Sequence, residues 1–303
     1  MVLPPPAGLV CEIFSYRPAV ERVWAQCPFY AGRLDGAGRV APWNLDDLED
    51  WASVHDDPYG GRRIDGRLPP LSLQLEATDD PHLWVGVDAA ELGAWSTALE
   101  RLLGRWGVGA GDTVAYFEYG SSPLVLLSAA SYVPHLGGGA VDRLGADTFC
   151  NDGLATMAIR MVDAIRLLRP AVVVLRADVL APFAEAVDVT GLELAETVGC
   201  LAVTVPEGAP FPAEVERYSQ RWGVPVRSVL RADAAFLLAG DCAGCGLFHV
   251  DPGLYCLEAA PGGAAVTATF ARTTPAVNYL LDGVRLEPAG CGQEPGAPRL
   301  GRA

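Results

Sequence analysis

The chain has 303 residues, 50% of them hydrophobic and 19% charged, a mix that can bury one large core or two modest ones and excludes a disordered chain. Its 37 acidic and 22 basic residues leave a net charge of −15, which excludes a nucleic-acid-binding face built on clustered cations. All 22 basic residues are arginine, so no lysine of this chain forms a Schiff base or lines a phosphate loop.

In chain order, residues 1–70 read as an irregular or helical segment rich in Pro and Trp, with an acidic stretch around Asn44 to Asp57. The start lacks a basic region and Pro4 to Pro6 break any apolar helix, so no targeting segment is read and a cytoplasmic protein is expected. Residues 71–232 alternate apolar runs with helical patterns. The strongest helix covers Ala89 to Trp106, with Leu92, Trp95, Leu99, Leu102, Leu103 and Trp106 at three- and four-residue steps. Asp88 and Glu91 form a capping-box pattern before it, and Gly107 is a natural stop. A strand follows at 113–118. The uncharged stretch Tyr119 to Val141 is long enough to span a bilayer, but Pro123, Pro134 and Gly137 to Gly139 make it a buried helix and a turn. A second helix fits Leu154 to Leu168, ended by Pro170, before a buried strand at 171–175. A third pair covers Pro212 to Trp222 and Val224 to Leu230. Strands alternating with helices predict a mostly parallel sheet. Residues 233–303 turn to short segments between Gly246 and Leu286, which predict a small antiparallel β subdomain.

Eight cysteines in a chain of this length and compartment point to buried thiols or a metal site before disulfides. Cys242-x-x-Cys245, followed by His249 and later Cys291, is the best chemical constellation. A C-x-x-C turn presents two thiolates to one ion, and distant ligands complete a tetrahedron. Cys256 competes for the fourth place. The bland alternative is a set of unpaired thiols in a small β core. Elsewhere, Gly107-x-Gly109-x-Gly111 precedes a strand where a dinucleotide fingerprint must follow one, and is rejected. His82 and His55, each beside aspartates, read as members of exposed acidic turns.

Taken together, CPFYAGRLDGAG (27–38), the 85–114 segment, HLGGGAVDRLGADTF (135–149), CAGCGLFHV (242–250) and CGQEPGAPRLGR (291–302) resemble the phenylacetate–CoA ligase branch of the adenylate-forming enzymes. The resemblance implies an α/β fold: the large N-terminal domain of such an enzyme, a mostly parallel sheet flanked by helices, plus a small antiparallel β subdomain. It also implies a C-terminal lid beyond Arg302-Ala303, so a one-lobed chain without that lid is expected. In some members of the branch a zinc sits at the Cys-rich turn, which assigns a structural zinc to Cys242, Cys245, His249 and Cys291. Three nucleotide elements of the family are altered. The phosphate loop corresponds to Leu75 to Pro81, which has no glycine and carries Glu76, Asp79 and Asp80. Two unit charges about 5 Å apart repel by roughly 3 kcal/mol at an effective dielectric near 20, so this acidic loop is expected not to cradle a triphosphate. The glutamate that serves magnesium corresponds to Ala234, within Leu230-Arg231-Ala232-Asp233-Ala234. Asp282 stands near the ribose-gripping acid with its spacing disturbed, and a turn role is the alternative.

No ATP or CoA is therefore expected. His135 lies where the family places its acyl pocket and is a candidate base or carbonyl-orienting group, against a helix-end cap. Cys150, ending a predicted strand, is a candidate nucleophile with His135 as its base, against a buried thiol. The favoured expectation is a non-adenylating ligase-like protein of specialised metabolism. It would bind an acyl, aromatic or polyketide-like intermediate, free or on a carrier protein, and catalyse a cyclisation or dehydration. A non-catalytic partner of a carrier protein or active paralogue, and a ligase with its lid supplied by another chain, are the alternatives. No nucleic-acid or membrane partner is expected, and a homodimer is compatible with the sequence.

Overall fold

A computed structural model describes residues 26–36, 39–63, 73–79, 82–119, 122–128, 138–206, 214–271, 273–287, 291–292 and 297–302. These fall into two units, one drawn from the first 94 residues together with 232–303, the other from 95–231.

In the first unit, α1 (Pro28–Ala31) and α2 (Leu45–His55) precede a hairpin. The acidic stretch is helical because Asn44 and Asp47 cap each other, side chain to backbone, at 3.1 Å both ways. Gly60 and Gly61, at φ of 60° and 68°, pass directly against Leu48 and Trp51, where a β-carbon would collide. Phe29, Trp43 and Tyr279 stack edge to face at 4.9 and 4.8 Å, which fastens the N-terminal segment to the β subdomain of the same unit. Arg62, fully buried, donates to the Ala234 carbonyl at 2.5 Å. Strands β1 (Leu73–Asp79) and β2 (His82–Val87) pair antiparallel from Leu73↔Val87 to Asp79↔His82. The segment expected to be a loop from Leu75 is thus strand through Asp79. Its backbone pairs with β2 on both sides of a bulge at Ala77, whereas a phosphate loop needs amides turned outward together.

Helix α3 (Ala89–Arg105) follows as expected. Glu91 accepts from the Asp88 amide at 2.6 Å and Asp88 from the Glu91 amide at 2.9 Å. Gly107 at φ 89° ends the helix. Leu92, Trp95, Leu99, Leu102 and Leu103 are buried, and Trp106 is half-buried.

The second unit holds β3 (Thr113–Phe117), α4 (Pro123–Ser128), α5 (Ala140–Arg143), β4 (Asp147–Asn151), α6 (Ala158–Leu168), β5 (Val172–Arg176), α7 (Leu180–Thr190), β6 (Cys200–Pro206), α8 (Val215–Trp222) and β7 (Val226–Ala232). Its five strands are parallel, in the order β7-β6-β5-β3-β4. The chain therefore reverses direction across the sheet between β3's two neighbours. One face of these strands forms the apolar core with α6, α7 and α8, through Phe117, Met161, Ile165, Leu175, Phe183, Val203 and Trp222. Helix α6 starts four residues later than the sequence suggests, because Ala155–Met157 is a 3-10 turn.

The first unit then resumes. Strands β8 (Leu237–Asp241), β9 (Phe248–His249), β10 (Tyr255–Ala260), β11 (Gly263–Ala268), β12 (Tyr279–Leu281), β13 (Val284–Glu287) and β14 (Arg299–Arg302) are short, and every pairing among them is antiparallel. Three of them form the small sheet β10-β11-β12, while β8, β9, β14 and β13 run side by side. The expected α/β class is the one observed: a mostly parallel sheet flanked by helices, with a small antiparallel sheet. Among the described residues no helix is long and apolar enough to cross a membrane.

Candidate functional site

Strand β8 ends at Asp241, and the chain then turns tightly into β9. The Gly246 amide donates to the Cys242 carbonyl at 2.8 Å, and the Cys242 amide to the Leu247 carbonyl at 2.9 Å. Gly246 sits at φ 67°, a conformation that closes this turn without a side-chain clash. Antiparallel pairing of Gly240 with His249 brings the imidazole back beside the turn, and β14 holds His249 from its other edge through Arg299. Cys291 arrives from the stretch between β13 and β14. The four ligand atoms of Cys242, Cys245, His249 and Cys291 all lie within 4.8 Å of one another. Cys242 Sγ is 3.8 Å from Cys291 Sγ, and Cys245 Sγ is 3.2 Å from His249 Nε2.

Bonds of about 2.3 Å to sulfur in a tetrahedron put two sulfurs about 3.8 Å apart, so the spacing fits one small divalent ion of the zinc type. Three thiols and an imidazole can hold a metal in a closed site. Burial pushes the Cys242 thiol up, while the amides of Gly244 and Cys245 favour its thiolate. Among the described residues the cluster takes His249 rather than Cys256, which is buried on β10. No disulfide joins the described cysteines.

A second polar group, not anticipated from sequence, sits at the carboxyl ends of the parallel strands. Glu118 directly follows β3 and is 2% exposed. It accepts from Thr204 Oγ1 of β6 at 2.9 Å and from Arg231 Nη1 of β7 at 3.2 Å. Arg176 closes β5, is paired with Thr204 in register, holds Asp178 through two guanidinium nitrogens, and lies over the Tyr119 ring at 4.3 Å. The Asp178 carboxylate first, and Tyr119 after it, keep Arg176 firmly charged. Its Nη1 is buried and meets no acceptor among the described residues. Open α/β sheets bind ligands outside the carboxyl ends of their strands where the strand order reverses, which is where these side chains stand. A signal was available: Phe117-Glu118, Leu175-Arg176, Val203-Thr204 and Leu230-Arg231 each place a polar residue after an apolar strand residue.

The other expected site residues are scattered. His135 and Asp80 lie outside the described residues, as do residues 120–121 and 129–137 of the stretch Tyr119 to Val141. Glu76 and Asp79 belong to β1. Cys150 is half-buried on β4, and burial pushes its thiol up, away from the thiolate a nucleophile requires. Ala234 is buried in a 3-10 turn over Asp233–Ala235. Asp282 is exposed in the turn between β12 and β13, beside Gly283 at φ 69°.

No family model matches the chain, and no curated protein does. Solved structures do. A 2-hydroxyisobutyryl-CoA ligase in the postadenylation state superposes with a TM-score of 0.75 at 18% identity, over 99% of this chain and 71% of that one. The open conformation of such a ligase, in complex with 2-HIB-AMP and CoA, gives 0.73 at 18% identity, over 99% and 78%. An anthranilate CoA ligase in complex with anthranoyl-AMP gives 0.52 at 11% identity, over 76% of this chain and 46% of that one. The fold of this chain is thereby that of the adenylate-forming acyl-CoA ligases.

Proposed function

We propose that this chain uses the ligase fold without adenylation: it binds an acyl or aromatic group at the carboxyl ends of the parallel strands and acts on it without ATP. The observation that carries this reading is the Glu118–Thr204–Arg231 group. Arg231 lies in the stretch that matches the magnesium-serving motif, three residues before Ala234, and its guanidinium donates to a buried carboxylate. The hairpin pairing of residues 73–79 and the alanine at 234 point the same way, since each replaces a feature that would meet phosphate or magnesium. Arg176 Nη1 supplies a donor for a carbonyl oxygen of the bound group. A cyclisation or dehydration of an activated acyl intermediate, with His135 as its base, is the reaction we assign to this chain. The Cys242, Cys245, His249 and Cys291 cluster is assigned to zinc in a structural role, because four protein ligands leave no position for water or substrate.

The fold likeness to 2-hydroxyisobutyryl-CoA ligase favours a second reading, a true ligase completed by a lid from another chain. Both readings are tested by incubation with ATP, magnesium and either 2-hydroxyisobutyrate or anthranilate, scored for pyrophosphate. The first predicts none, with or without a separately supplied lid domain. Pyrophosphate release above the no-carboxylate control overturns it and establishes the second.

A further inference from the structure

Strand β4 ends the strand order of the second unit, so its outer edge pairs with no other strand among the described residues. Beside it runs α6, and between them lies a groove of about 370 Å³ lined by Phe149, Asn151, Arg160, Asp163, Leu167 and Leu168. Apolar side chains stand open at both ends of this helix. Leu167 is 83% exposed and Leu168 38% at its C-terminal end, and Leu154 and Ile159 are 40% and 56% exposed at its start. Four large aliphatic side chains on one helix and its lead-in exceed the scatter of single exposed leucines on a monomer surface.

Along α6 the exposed side chains run aliphatic, Arg160, Asp163, aliphatic, so the reversed order is charge-complementary to the forward one; within the helix Asp163 also lies 3.4 Å from Arg166. We propose that this face is a homodimer interface, with α6 crossing antiparallel to α6 of a second copy. A two-fold axis near the middle of the helix sets Arg160 against the partner's Asp163 and the reverse, and sets Leu154 and Ile159 towards the partner's Leu167 and Leu168. Charge complementarity selects a second copy as the occupant. The whole chain carries a net charge of −15, yet residues 151–170 hold three arginines (160, 166, 169) against two aspartates (152, 163). This is therefore a face on which two strongly acidic chains can approach without repulsion, and an isologous contact uses each charged residue twice.

Sedimentation velocity on the full chain tests the proposal across about 1 to 100 μM, the range expected of a modest interface. A concentration-dependent dimer is expected. Leu167→Asp, at a site too exposed to matter for folding, should leave only monomer. Arg160→Asp and Asp163→Arg should each weaken the dimer at least tenfold, and the double exchange R160D/D163R should restore it, because the pair is reconstituted across the axis. Circular dichroism of every variant establishes that it is folded. A monomer at all concentrations overturns the proposal and gives the face to another occupant. A dimer indifferent to Leu167→Asp places the contact elsewhere and overturns it too, as does a double exchange no better than either single change.

Discussion

Glu118 is a buried carboxylate that accepts hydrogen bonds from two different strands, so its removal takes a charged acceptor from a guanidinium and from a hydroxyl. Breaking one side of a buried ion pair costs about 3–5 kcal/mol. Glu118→Ala should lower stability by that order in urea titration, while the double change E118L/R231M should cost clearly less. Equal losses would show that the pair is not the unit. Cys27 makes a different case. It is fully buried, donates to the Arg62 carbonyl at 3.0 Å, and burial, opposed only by the Arg62 charge, pushes its thiol from 9.0 to about 12. Between those values the unfolded chain has lost a proton that the folded chain keeps, so stability is full below pH 9 and falls as pH rises towards 12. Buried Tyr30, Tyr116 and Tyr255 are shifted upward by burial as well and add to the loss at the alkaline end. The urea midpoint should hold from pH 7 to 9 and drop beyond it, less steeply in Cys27→Ala. The strand-end residues were not read from the sequence: Glu118, Thr204, Arg176 and Arg231 gain meaning only when parallel pairing brings their strands side by side.

Helix α3 shows what local pattern can specify, because its apolar stripe, cap and glycine stop all agree. Its cap does more than end a helix. Glu91, 2% exposed, also accepts from the Thr273 amide and hydroxyl, both at 2.7 Å, which ties the start of α3 to a segment 182 residues later. Glu91→Ala strands buried donors and should cost about 3 kcal/mol by thermal denaturation, with Glu91→Gln recovering part of it. Recovery to full stability would assign the carboxylate charge no part. Helix α7 was not read at all. Its sequence LAPFAEAVDVT is apolar or small nearly all round, so burial of Leu180, Phe183, Ala184, Ala186 and Val187 leaves no clear amphipathic period. Strands β1 and β2 were missed for another reason, since the acidic residues of β1 suggested a loop and masked the short-range pairing that makes a hairpin. The Cys-rich turn was the most legible part of the candidate site, because C-x-x-C and the histidine lie within eight residues. The place of Cys291 rested on resemblance, and the backbone that brings it there is set by β13, β14 and β9 together.

At the scale of the molecule, the candidate metal centre belongs wholly to one unit and the strand-end polar group wholly to the other. Purified chain should contain one zinc per molecule by mass spectrometry. Chelation should lower the thermal midpoint of the 1–94/232–303 unit and expose its thiols, through loss of a ligand bound only by the folded state. A Cys245→Ser chain that keeps a full zinc complement would refute the assignment. The fold likeness to ligases spans nearly the whole chain, which is why the architecture could be anticipated from scattered motifs while the chemistry could not. The join between Cys242 and Cys291 has a last consequence. Forty-nine positions separate the two thiols, and a metal held by both clasps the ends of that span like a buckle. A protease cut anywhere inside the span would then go unnoticed in size-exclusion chromatography until a chelator opened the clasp and the two pieces parted.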